Sequence, residues 1–362
     1  MKYGIITHYD VHNHGALLQL NALARVLEHK GIDAAALRYT KNYDFMSAGL
    51  RNKYDISIRS VGVYWNYLCK NGIGRTLFNI RKKIILDRYK KEKRLIGEYY
   101  AEAQGIEAVV VGSDEVFALH TGPTPVLFGH ALPGNRVFSY AGTFGPTDYE
   151  DIEKLRCSAF VRSGLCAMQG ISVRDANSEE IVIRLTGQTP VRVCDPVLLY
   201  GYEQERASSE KKALPAFLLV YAYDNNMNSE AEVVAIRQYA RERNLQVFSV
   251  GFYHKWCDRN INADPEELIA WFDAAQCVIT DTFHGSVLSI LTCRNFAVIV
   301  RGNANKLRNL LDEYTLTDRI LDSDIHIEKV LSQNIDYEIV GDELLRRRRE
   351  SMDFLDSMIS AR

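Results

Sequence analysis

The sequence predicts an α/β protein made of two doubly wound domains that face each other across a cleft, and three observations carry that prediction. Apolar runs of strand length alternate with helix-period segments almost throughout the chain, the pattern that parallel sheets covered by helices on both faces impose. The alternation is interrupted by one polar stretch and then begins again. Finally, 362 residues with 47% hydrophobic and 25% charged side chains are enough to bury two cores.

The first series opens with the strand "YGIIT" and the helix "GALLQLNALARVLEHKG", which Gly31 ends. The strand "DAAALRY" follows, and then an insertion from Lys41 to Arg94. The series resumes with the strands "EAVVVG" and "RVFSYAG", a helix from about Asp148, the strand "GISVR", a helix from about Asn177 and the strand "VRVCD". Residues 1–200 are therefore read as the first domain. The segment "YEQERASSEKKALP" has no apolar period and ends in proline, so it reads as a linker. The second domain, 212–335, runs through "AFLLVYAY", a helix from Asn228, "QVFSVGF", a helix opened by Asp264 and Pro265, "CVITD", the helix after it, "FAVIV" and a helix from Asn305. The last helix, 336–362, follows no strand and is expected to return to the first domain.

The insertion is rich in aromatic residues (Tyr43, Phe45, Tyr54, Tyr64, Trp65, Tyr67) and poorly periodic. It is either a lid or acceptor wall, or aromatic packing over the sheet edge. Thirteen Lys and Arg stand against three Asp and Glu between Arg51 and Arg94, although the whole chain carries a formal charge of −2. That overall balance argues against nucleic acid as a partner. The local excess is either a solvated helix face or a surface for anions. With "RRRR" at 346–349 it suggests peripheral contact with anionic lipid on the inner face of a membrane.

Seven scattered cysteines without a CxxC spacing imply neither a disulfide framework nor a thiolate zinc site. The first residues enter a strand with no apolar leader, and no run is long enough to span a bilayer, so a cytoplasmic location is expected. His8, His12 and His14 suggest a metal by type, but one loop with Asp10 as its single acidic neighbour is a poor zinc set. No metal and no cofactor are expected.

In open α/β sheets ligands sit beyond the carboxyl ends of the strands. Those positions here read "THYDVHNHGA", "GSDE", "SYAGTFG", "SVRD", "AYDNN", "GFYHK", "TDTFHGS" and "RGNANK". Three of these loops end at Gly15, at Asn177 and at Gly285 or Ser286 just before a helix, so three positive helix ends point at the cleft. Neither GxGxxG nor GxxxxGK[ST] occurs at such a junction, which disfavours dinucleotide and Walker-type chemistry and favours a small anion. His284, at a helix mouth, is either a proton donor near neutral pH or a residue that caps the turn through Asp281. Arg174, ending "GISVR", suits a carboxylate or phosphate, or else pairs with Asp175 or Asp195. Arg301 and Lys306 flank a further strand end and either add positive charge or lie on the surface.

The motifs "GIITHYDVHNHGALLQLNAL", "VVVGSDEVF", "SYAGTFG", "ISVRD", "CDPVLL" and "VITDTFHGSVLSI" occur in this order. Together they resemble the polysaccharide pyruvyl transferase family over about residues 3 to 300. The resemblance implies two facing Rossmann-like domains of the glycosyltransferase B type. It also implies transfer of a carboxyethylidene group from phosphoenolpyruvate to two hydroxyls of a free or lipid-linked saccharide, as a cyclic ketal in surface or exopolysaccharide synthesis. By the same analogy the general acid falls on His284 and the donor-binding arginine on Arg174, with Gly285 and Ser286 nearby. Asn13, Gly15, Ser113 and Asp114 fall on the acceptor side. Members often carry Arg two residues before the histidine, where this chain has Thr282, so Arg301 or Lys306 would supply the missing cation. His14 stands where Tyr is frequent, and "GSDEVFAL" replaces "GSDQVWNP". Two other readings share the scaffold. A nucleotide-sugar glycosyltransferase would be expected to show two glutamates eight residues apart after residue 200, and no such pair occurs. A catalytically degenerate sugar-binding protein would retain the cleft without turnover.

Overall fold

The computed structural model describes residues 1–40, 60–208, 214–302 and 305–361. In the first lobe, β1 (Lys2–Ile6), α1 (His14–His29) and β2 (Asp33–Arg38) are followed by α2 (Ser60–Glu92), β3 (Ile96–Tyr99), β4 (Ala108–Val111) and β5 (Arg136–Ser139). These strands form a wholly parallel sheet ordered β3-β2-β1-β4-β5, in which Ile5 lies between Ala36 and Val110. Beyond β5 come α3 (Tyr149–Lys154), α4 (Ser158–Ala167), β6 (Ser172–Val173), α5 (Ala176–Thr186) and β7 (Val191–Arg192). β6 and β7 pair in parallel, and bridges from Phe138 to Gly170 and from Gly142 to Val173 tie them to the edge of the main sheet.

Two short helices, α6 (Pro196–Tyr200) and α7 (Glu203–Ser208), lead to the second lobe. There β8 (Phe217–Tyr221), α8 (Glu230–Glu242), β9 (Gln246–Val250), β10 (Arg259–Ile261), α9 (Pro265–Ala274), β11 (Cys277–Thr280), α10 (Phe283–Leu291), β12 (Phe296–Val298) and α11 (Asn305–Glu313) repeat the same order, β10-β9-β8-β11-β12, again parallel. After α12 (Ile327–Leu331), the long α13 (Tyr337–Ser360) packs on the first lobe. There Lys30 bonds Asp356 at 2.8 Å, the Cys194 amide donates to Ser351 Oγ at 2.9 Å, and the Phe354 ring meets Phe138.

The near-continuous apolar strands follow from burial on both faces. Ile5, Val110, Leu219 and Val278 are fully buried, each contributing about 1.5–3 kcal/mol by removal from water. Local signals set the helix starts. Asp148, Ser229 and Asp264 each form a capping box, and Pro265 occupies the first turn of α9.

The elements that differ from the sequence reading are those not held by an apolar face. The polar segment after residue 201 contains α7, which Arg206 fixes to α9 through two 3.1 Å bonds to Asp273. β3 and β10 are short, half-exposed edge strands. Of the insertion, residues 41–59, with Tyr43, Phe45 and Tyr54, lie outside the described residues. From Ser60 it is helical, broken only at Gly72, whose φ of 73° lies in the left-handed region. "RRRR" is not a free cationic patch: Arg346 and Arg347 pair with Glu343 and Glu350, Arg347 also with Glu313, and Arg348 reaches the Leu198 carbonyl and Glu203. Among the described residues no helix is long and apolar enough to cross a membrane.

Candidate active site

In each sheet the strand order reverses direction once, between β1 and β4 in the first lobe and between β8 and β11 in the second. Such switch points are where loops splay apart and open a crevice. The loops after β1 and β4 carry Asn13, Gly15, Ser113 and Asp114, and those after β8 and β11 carry Tyr223 and His284.

The N-termini of α1 and α10 meet there. Asn13 caps α1, its Oδ1 accepting from the amides of Gly15 at 2.9 Å and Ala16 at 3.3 Å. Thr282 caps α10 through Gly285 N at 2.9 Å. Thr282 thus satisfies one of the orphan amides of the helix start. The His284 ring lies directly on Gly15, where an added Cβ would come within 2.3 Å of its Cγ and Nδ1. Gly285 is equally confined, since a Cβ would lie 2.0 Å from Thr280 Oγ1. Gly15→Ala should therefore displace the imidazole. We expect at least a tenfold loss of turnover with a destabilisation of about 1–3 kcal/mol, read by steady-state kinetics and a denaturant titration.

Around His284 lies a network of opposite charges. Arg174, at the end of β6, donates to Asp195 and to Asp114, the latter at 3.3 Å, with its guanidinium 4.1 Å from the Phe283 ring centroid. Lys306 lies 2.6 Å from Glu115 and 3.6 Å from Asp114, and 5.6 Å from the centroid of the same ring. His284 Nε2 is 3.8 Å from Asp195 Oδ2 and, among the described residues, makes no hydrogen bond; Arg174 Nε and Ser113 Oγ are likewise buried without a partner among them. A small cavity of about 10 Å³, lined by Arg174, Asp195, Phe283 and Lys306 together with Leu310 and Tyr314, does not reach His284 or Ser113.

The environment sets the charge states. Burial pushes the His284 pKa down, and Arg174 and Lys306 push the same way, while Asp195 and Asp114 oppose them. Burial pushes the Asp114 carboxyl up, but Lys306 and Arg174 outweigh it and hold it well below the usual carboxylate range. Burial works against the cations too, yet Asp114 with Glu115 raises Lys306, and Asp195 with Asp114 raises Arg174. The result is a neutral imidazole among fixed charges.

The structure brings together His284, Gly285, Arg174, Lys306, Gly15 and Asp114, with Asn13 at the rim. It does not bring Arg301 in: that guanidinium is engaged by Asp281 at 2.7 Å and Glu232 at 2.6 Å, and it contacts none of the cluster among the described residues. Asp281 is occupied by Arg301 and by Asn226 at 2.6 Å, so it does not hold His284. Ser286 is fully buried, its hydroxyl turned back to the Thr282 carbonyl at 3.5 Å.

The three loop histidines diverge. His8 meets the Glu115 carbonyl at 3.0 Å, His12 meets Asp87 at 3.1 Å, and His14 is buried against the Ala263 carbonyl at 2.9 Å. Burial, then Lys82, lowers the His14 pKa to about 3. No group of three metal-capable side chains converges among the described residues.

Sequence reasoning missed Glu115, Asp195, Tyr223 and Phe283 as site residues, though all four lie in strand-end loops. Burial raises the Tyr223 phenol pKa, Lys306 opposes that, and Asp114 and Glu115 add to it, so this side chain belongs to the same electrostatic cluster. A larger cavity of about 460 Å³ lies apart from this cluster, between α2 and Tyr253, Asn260 and Asn262, and shares none of its lining residues.

Solved structures resemble this fold at low identity. A Listeria monocytogenes protein named for UDP-N-acetylglucosamine 2-epimerase activity is 9% identical, with 97% of this chain and 89% of that chain covered and a TM-score of 0.50. A Methanocaldococcus jannaschii UDP-GlcNAc 2-epimerase, in complex with UDP-GlcNAc and UDP, is 10% identical, with 99% of each chain covered and a TM-score of 0.49. Such identities speak to architecture alone, which is the two-lobed α/β arrangement of the glycosyltransferase B type. No curated protein matches the chain. The sequence profile described as polysaccharide pyruvyl transferase matches residues 13–303, most of the chain, and the protein belongs to that family.

Proposed function

We propose that this transferase moves a carboxyethylidene group from phosphoenolpyruvate to two hydroxyls of a saccharide, forming a cyclic ketal and releasing phosphate. The observation that carries the reading is the unpartnered His284 Nε2, held at two helix N-termini beside Arg174 and Lys306.

His284, once charged, gives its proton to the methylene carbon of the donor, leaving an oxocarbenium-like C2. One sugar hydroxyl adds to C2 and its proton passes to the phosphate that is to depart. The C2–O bond to phosphate then breaks, phosphate leaves, and the second hydroxyl closes the ring with loss of its own proton to restore the imidazolium. Arg174 binds the donor carboxylate or phosphate as a planar fork, and Lys306 takes the other anionic group. Gly285, whose amide is already held by the Thr282 side chain, lets the turn pack closely at the mouth of α10, and Ser286, turned inward, supports that turn. Asn13, Ser113 and Asp114 line the acceptor side. Because Lys306 is engaged by Glu115 and Asp114, and Arg174 by Asp195 and Asp114, entry of the donor requires both cations to exchange carboxylate for donor. Arg301, paired with Asp281 and Glu232, is left out of this scheme.

The protein incubated with phosphoenolpyruvate and a panel of galactose, mannose and N-acetylhexosamine acceptors should release phosphate in step with a ketal product seen by mass. Turnover of a UDP-sugar in place of phosphoenolpyruvate would overturn the proposal. Donor binding should also be pH-dependent. A bound trianion raises the His284 pKa above its depressed free value, so binding takes up a proton. Affinity should be greatest below the free-enzyme pKa, which lies under the ordinary value of about 6.5, and fall as pH rises through the pKa of the complex. Calorimetry in buffers of different ionisation heat reads the proton uptake, and His284→Gln should abolish it.

A further inference from the structure

We infer that the exposed face of α2 is a docking surface for an anionic lipid bilayer. C-terminal to Gly72, Ile73, Leu77, Ile80 and Ile84 are 71%, 51%, 52% and 55% exposed. At 100° per residue they fall within an arc of about 60°, so they form one continuous apolar stripe. The opposite face is buried: Phe78, Lys82, Leu86 and Tyr89 pack inward, with the Lys82 ammonium 4.0 Å from the centroid of the Phe252 ring. Apolar side chains that point away from the core for three turns face either water or a partner.

The charges around the stripe identify that partner. Arg81 and Arg88 flank it on one side and Lys83 on the other, with Lys91 and Arg94 at its C-terminal end. All five are exposed and form no ion pair among the described residues. Arg75, Lys90 and Lys93, by contrast, are taken up by Asp224, Asp87 and Glu266. Unpaired cations on both sides of an apolar stripe are the arrangement by which a helix lies in the headgroup layer, its cations on lipid phosphates and its stripe in the acyl boundary. A second copy of this chain would bring cations against cations. The 460 Å³ cavity shares Leu77, Arg81 and Ile84 with this face.

The inference stands independently of the transfer chemistry, and the full chain tests it. It should co-sediment with phosphatidylglycerol vesicles in low salt, bind neutral phosphatidylcholine vesicles at least tenfold more weakly, and be released by high salt. Ile73→Asp/Ile80→Asp and Lys83→Glu/Arg88→Glu should each weaken binding about tenfold or more. Both changes lie outside the cavity lining and the charged cluster, so phosphate release with a soluble acceptor and the melting temperature should not change. Equal binding to both vesicle types, no binding by the wild type, or unaltered binding by the variants overturns the inference. So does a dimer that Ile73→Asp/Ile80→Asp dissolves, which would make the face a contact between copies.

Discussion

Arg174→Ala is expected to destabilise the protein by about 3–5 kcal/mol, the usual consequence of removing one partner from a buried ion pair. The size follows from what would be left behind. Asp195 has a side chain 0% exposed and Asp114 one that is 18% exposed, and both rely on this guanidinium. Removing it also uncovers the Phe283 ring. Equilibrium urea unfolding measures the loss. Arg174→Lys should recover part of the stability, because a cation remains, but not donor binding, because an ammonium cannot bond two groups as a rigid fork. Arg174→Ala within about 1 kcal/mol of the wild type would show that the carboxylates find other partners, and the electrostatic account of the cluster would fail. Lys306→Ala is a sharper comparison than it looks: its side chain is 25% exposed, so the carboxylates it leaves are partly hydrated and the fold should suffer less.

The cluster shows which parts of the site a sequence discloses. Strand ends follow from alternation, and that is why Arg174 and His284 were legible: one ends a strand and the other opens a helix, whereas Asn13, Ser113 and Asp114 were marked by the family resemblance. The fate of a cation was not legible, because it depends on carboxylates delivered by other elements. Arg301 and Lys306 flank the same strand-to-helix connection, yet Asp281 and Glu232 hold the first on the flank while Asp114 and Glu115 draw the second across to the opposite lobe. In the sequence Asp195 is one of two carboxylates that could pair with Arg174, and the structure shows that pair; the same residue also caps α6 through the Val197 amide at 2.9 Å. The stripe on α2 was hidden differently. The aromatic residues of the insertion obscured its period, and its buried face is held partly by Lys82, whose pKa burial lowers to about 8.

Of all the substitutions, His284→Gln should separate binding from chemistry most cleanly. Glutamine keeps a hydrogen-bonding group near Nε2 and fills much of the space above Gly15, so the helix junction should survive. It cannot deliver a proton. Loss of a positioned general acid costs about 10²–10⁴-fold in rate, and that fall should appear in single-turnover phosphate release while phosphoenolpyruvate still binds within a few-fold of the wild type. The imidazole of the free protein is neutral because burial, with Arg174 and Lys306, disfavours the charged form, so it becomes an acid only when an anion arrives. In the proposed mechanism protonation is thereby tied to occupancy, and a proton donor charged only beside its substrate would have little opportunity to give its proton to water. Phosphate release by His284→Gln at the wild-type rate would move the acid elsewhere, with Tyr223, a titratable hydroxyl near Lys306 and Asp114, the next residue to replace.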